Sequence, residues 1–147
     1  MDLLLAFGIA AALVAVASIA GIALKRREGR ASDAKGEWAD ASELALDALP
    51  VRATLLQFSS EYCARCPGTA RALGEIAGDD HELAHVELDV AAHPELAARF
   101  RVTQTPTVVV LGSDGHALRR FSGAPRRADV SAALPPTPEH PRNLRVA

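Results

Sequence analysis

The chain is poor in cysteine, in aromatic residues and in any excess of charge. It has two cysteines, Cys63 and Cys66, with one Trp, one Tyr and one Met, and aromatics make up 4% of it. Two cysteines exclude a disulfide framework, and no second pair exists to complete a zinc site, which takes about four ligands. Sixteen Lys and Arg against 18 Asp and Glu leave a formal net charge of −2. No basic field is available to displace counterions from phosphates, so general nucleic-acid binding is excluded. No nucleotide, flavin or metal site is visible, and there is no internal repeat.

One stretch lacks charge altogether. Leu3 to Leu24 carries no Asp, Glu, Lys or Arg, and as a helix it would be roughly 33 Å long, enough to cross the hydrocarbon core of a bilayer. A cleaved signal peptide would place basic residues before the apolar run. Here Met1-Asp2 precede it, and Lys25, Arg26, Arg27 and Arg30 follow. That order predicts an uncleaved transmembrane anchor over residues 1–24. It also predicts that the chain after Leu24 is cytoplasmic, because basic residues flanking a membrane helix are retained there.

Residues 25–40 are polar and small and read as a linker, in which Trp38 either docks on the domain or lies at the membrane surface. A globular domain is predicted over 41–134. Leu44, Leu46 and Leu49 mark a short element, strand or helix, that Pro50 ends. Ala53 to Ser59 reads as a buried strand and Ala64 to Ala77 as a helix with Ala70, Leu73, Ile76 and Ala77 on one face. A strand over His85 to Val90, a helix over Glu95 to Phe100 and a strand over Thr105 to Leu111 follow. Ser113-Asp114-Gly115 signals a hairpin leading to a partner strand over Ala117 to Phe121. A last helix covers Asp129 to Leu134, and the Pro-rich residues 135–147 read as a disordered tail.

The Cys63-Ala64-Arg65-Cys66 pair sits between an apolar strand and a helix. Unpaired N–H groups and the positive dipole end of a helix favour a thiolate, which would make the first cysteine the nucleophile and the second its partner in a disulfide. A structural disulfide across so short a loop adds little stability. The five histidines, His81 and His85 among them, read as surface residues rather than ligands, and Asp89 as structural. Arg119-Arg120 and Arg126-Arg127 read as a solvated face.

The order strand, Cys-x-x-Cys, helix, strand, helix, Thr105-Pro106-Thr107 strand, hairpin, strand and helix, with Gly123 after the last strand, resembles the thioredoxin family from about Ala53 to Leu134. The resemblance implies an α/β, thioredoxin-like three-layer fold with a mixed central sheet, here preceded by one N-terminal transmembrane helix. It implies Cys63 as the attacking and Cys66 as the resolving cysteine. It also implies a cis-proline at Pro106, with Tyr62, Arg65, Thr105 and Pro106 facing the substrate. The partners it implies are protein disulfides or dithiols and a separate thiol reductase or oxidant, with no cofactor of its own.

Three positions depart from the family pattern. Tyr62 replaces the usual tryptophan, and Ala64-Arg65 replace Gly-Pro. Gln57 stands where many thioredoxins bury a carboxylate that deprotonates the resolving cysteine. Glu61 is the nearest acidic residue in sequence to substitute for it. The expected function is a membrane-anchored thiol–disulfide oxidoreductase. Its alternatives are an extracytoplasmic thioredoxin-like protein serving disulfide exchange or cytochrome maturation, and a non-catalytic module that binds through the groove at Thr105-Pro106.

Overall fold

The computed structural model describes residues 2–27, 29–34 and 36–137. Helix α1 (Asp2–Arg27) comes first, and its segment Leu5–Ala23 is apolar, long enough to cross a membrane, and buried by nothing among the described residues. Its composition explains the isolation. Apolar residues lie on every side of it, so there is no single face to bury against a domain.

A five-stranded mixed sheet follows, in the order β1 (Ala31–Asp33), β5 (Ala117–Ser122), β4 (Thr107–Gly112), β2 (Ala53–Ser59), β3 (Leu83–Asp89). Only β2 and β3 run parallel. The crossover between them is α2 (Cys66–Gly78), as parallel neighbours require. β2 is buried along its whole length, in keeping with its apolar run and central place.

Side chains alternate between the two faces of the sheet. Leu55, Val108, Val110 and Phe121 pack with Leu73 and Ile76 of α2 and with Val130 of α4 (Arg127–Ala133). Leu56, Phe58, Val109 and Leu111 pack on the other face with Leu96 of α3 (Pro94–Arg99), Phe100, Leu44 and Ala39. Two helical layers therefore enclose the sheet, each contributing large side chains whose burial is worth about 1.5–3 kcal/mol apiece.

The stretch expected to be a linker is in large part folded. β1 lies within it and pairs antiparallel with β5, Ala31 opposite Phe121. Ala34, Glu37 and Ala39 are buried, and Trp38 bridges to His116 beneath the Arg99 guanidinium, 5.0 Å from its ring. The polar composition concealed this because the segment is held by charge. The Glu37 carboxylate takes Arg120 at 2.7 Å and Arg101 at 3.5 Å. Ala41 to Leu49 contributes a single 3₁₀ turn, Ser42–Leu44, with Leu44 buried. At the other end, Pro135 is tied to the domain by a hydrogen bond from Arg52 Nε to its carbonyl at 2.7 Å. The tail beyond Thr137 lies outside the described residues.

Candidate functional site

β2 delivers the chain to a tight turn in which the Cys63 N–H donates to the Ser60 carbonyl at 3.0 Å and the Cys66 N–H to the Cys63 carbonyl at 3.1 Å. α2 begins at Cys66, two residues later than its sequence pattern suggested, with Pro67 in the first turn where a missing N–H is harmless. Thr69 closes that turn, its N–H and hydroxyl both donating to the Arg65 carbonyl, at 3.1 and 3.0 Å. Cys63 and Cys66 are joined as a disulfide across this helix start, Sγ to Sγ 2.19 Å. The two sulfurs are unequally placed. Cys66 is only 3% exposed, whereas Cys63 is partly open to solvent.

Tyr62 and Arg65 are exposed on the same loop, Tyr62 at 89%. Its phenol is hydrogen-bonded to Glu61, which pushes its pKa up. Glu61 is thereby engaged at the exposed surface. Thr105 and Pro106, joined by a cis peptide bond, lie beside this loop: Thr107 pairs with Phe58, and the Thr105 and Ser60 hydroxyls share a hydrogen bond at 3.2 Å. Six residues singled out in the sequence are thus gathered at one end of the sheet.

Sequence reasoning missed what lies under Cys66. Gln57 is completely buried, and its side-chain Nε2 donates to the Cys66 carbonyl at 3.2 Å and to Glu87 Oε1 at 3.1 Å. Two acceptors on one side turn the amide oxygen toward His85, whose Nε2 is 3.3 Å away and must be the donor. His85 and Glu87 flank Val86 on β3, and the parallel register sets Gln57 opposite Glu87. His85 is therefore not a surface histidine. The available signal was its period-two spacing from Glu87 on a strand adjoining Gln57.

Burial holds the His85 imidazole below its ordinary pKa, with the Glu87 carboxylate opposing in part. The unfolded chain takes up a proton near pH 6.5 that the folded chain refuses, so stability should fall as pH drops through about 6.5 toward the lowered folded value. His85→Gln keeps a donor for Gln57 without the titration. It should flatten the loss of urea midpoint between about pH 7.5 and 5.5; a variant with the parent's slope would refute the linkage.

A model of the thioredoxin family matches residues 40–135. The chain is 34% identical over 83 residues to a thioredoxin of Mycolicibacterium smegmatis, covering 54% of this chain and 73% of that one. It is 33% identical over 86 residues to a bifunctional thioredoxin reductase/thioredoxin of Mycobacterium leprae, of which it covers only 19%. Among solved structures, Fasciola hepatica thioredoxin matches with a TM-score of 0.51 at 29% identity, over 56% of this chain and 78% of that one. Mitochondrial thioredoxin 3 of Saccharomyces cerevisiae in its oxidized form gives 0.50 at 23% identity, over 56% and 76%, a likeness of fold.

Proposed function

The chain belongs to the thioredoxin family, and we propose that it is a membrane-anchored thiol–disulfide oxidoreductase in which Cys63 attacks and Cys66 resolves. The observation that carries this reading is the Cys63–Cys66 disulfide at the start of α2, one sulfur accessible and the other buried. An accessible first sulfur meets the substrate, and a buried second one is kept for the intramolecular step. Tyr62, Arg65, Thr105 and Pro106 form the surface that receives the substrate backbone. The natural electron partner is a separate thiol reductase or oxidant.

Residues 1–24 are assigned as the anchor and the redox domain as the folded chain up to 134, its start moved forward from 41 to include β1. Lys25, Arg26 and Arg27 after the apolar run support a cytoplasmic side for the domain. A reporter fused after Ala147 that is active only outside the cytoplasm would favour the extracytoplasmic reading instead.

The test is the redox equilibrium of the detergent-solubilised chain against glutathione, read by alkylation of Cys63 and Cys66. A reversible two-electron couple is expected. A pair that never cycles would leave a groove-binding module. Arg65 tunes the couple: its exposed guanidinium, one residue before α2, favours the Cys63 thiolate and so the reduced form. Arg65→Ala should raise the Cys63 pKa by about half a unit and make the potential about 15 mV more reducing. Alkylation rate against pH reads the first, and an unchanged or lower pKa would sink the idea.

A further inference from the structure

The point at which the apolar helix joins the domain lies at the redox end of the sheet. α1 ends at Arg27, and two residues on, the Gly29 N–H donates to the Ser122 carbonyl at 2.7 Å. Gly29 has φ +70°, and a Cβ there would come within 2.5 Å of the Ala124 carbonyl oxygen, so the junction is tight and made for glycine. Ser122 ends β5, and the next residue, Gly123, donates its N–H to the Pro106 carbonyl at 2.8 Å. Thr105 meets Ser60 through their hydroxyls at 3.2 Å, and the Ser60 carbonyl accepts from the Cys63 N–H at 3.0 Å. An unbroken relay of backbone and hydrogen bonds thus runs from the first residues after the apolar helix to the cysteine loop.

Strand directions agree. β2 and β5 run toward the cysteine end, and β4 and β1 run away from it, so β1 starts where β2 finishes. Three strand spacings separate them, roughly 14 Å across the sheet. With Lys25, Arg26 and Arg27 in the headgroup layer, Gly29 is held close to it, since two residues of extended chain reach at most about 7 Å. The opposite end of the seven-residue β2 is roughly 20 Å away along the strand. Trp38, bridged to His116 just before β5, belongs to that far end. Tyr62, 89% exposed beside Cys63, belongs to the near one, and its amphipathic ring suits a lipid–water boundary.

We infer that the cysteine end of the domain faces the bilayer and that its substrates are disulfides in juxtamembrane segments of membrane proteins, within about 20 Å of the headgroups. This rests on the membrane-anchored oxidoreductase reading and holds for either side of the membrane. The chemistry is disulfide exchange. Cys63 thiolate attacks one substrate sulfur, the substrate S–S bond breaks, and the released thiolate takes a proton from water. Cys66, deprotonated, then attacks Cys63 Sγ and releases the second substrate thiolate. That thiolate also takes a proton from water, which received those lost by Cys63 and Cys66, so the substrate gains two electrons and two protons as the dithiol of the chain becomes the disulfide.

The experiment uses the full chain, reduced beforehand, in vesicles with a membrane-spanning peptide that carries a disulfide loop on a Pro-rich spacer. Spacers of about 5 and about 35 residues put the loop roughly 15 and 110 Å above its anchor. Single-turnover reduction should be at least about tenfold faster for the short spacer, through effective concentration. A Gly/Ser insert of about 40 residues between Arg27 and Gly29, with an r.m.s. reach of roughly 35 Å, should weaken the preference. Equal rates for both spacers with the unmodified chain overturn the inference. Two controls separate its failure from that of its premises. The same chain in detergent must reduce the soluble loop, or the oxidoreductase reading fails and takes the inference with it. The chain must also stay in vesicles through alkaline washing, or the anchor reading fails and takes the inference with it.

Discussion

Cys63→Ser should lower single-turnover reduction of a peptide disulfide by about three orders of magnitude or more, because a hydroxyl at neutral pH lacks the nucleophilicity of a thiolate. Cys66→Ser should behave differently. Its Cys63 still attacks, but nothing resolves the adduct, so a mixed disulfide should accumulate to nearly one equivalent and dissolve on adding a small dithiol. The contrast follows from burial, since Cys66 is buried while Cys63 is partly open to solvent. Mass spectrometry of the trapped species reads both outcomes. Equal trapping by the two variants would mean that either sulfur meets substrate and would reverse the assignment of roles.

Much of this site was legible because its signals are local. A strand, a cysteine pair and a helix start are consecutive in the chain, and β2 was read to its limits because a largely apolar run bounded by turn signals has few other uses. Thr105-Pro106 was legible through the resemblance alone, as nothing in residue spacing shows that it lies beside Ser60. What escaped notice is carried by pairing between distant segments. β1 has only three residues, all exposed, and its place depends on Arg119 and Arg120 of β5 finding Asp33 and Glu37. A polar stretch with glycines reads as a linker unless those partners are known. Likewise His85 and Gln57 are 28 residues apart, and only the parallel register of β2 and β3 makes them neighbours.

That neighbourhood leads to an expected result for Gln57→Asp, the change that would put a carboxylate at the position where family members bury one. It should not simply supply a missing base. The Gln57 amide now donates to the Cys66 carbonyl and to Glu87 and accepts from His85. A carboxylate there loses both donations, is one methylene shorter, and faces from the fully buried β2 the carboxylate of Glu87, which is itself exposed on β3. Burial and like charge both push the introduced carboxyl's pKa up, so its cost is smallest at low pH and grows as pH rises through that raised value. At pH near 8 a loss of about 3 kcal/mol of stability is expected from the unpaired buried charge. Glu87→Gln alone should be nearly neutral, because its side-chain oxygen still accepts from Gln57. Added to Gln57→Asp, it removes the repulsion and offers an amide donor, and should restore more than about 1 kcal/mol in a double-mutant cycle. Urea midpoints at two pH values decide the matter. A Gln57→Asp variant as stable as the parent at pH 8, or one that Glu87→Gln fails to rescue, would show that Gln57 fills space under Cys66 and that the hydrogen bonds around it contribute nothing.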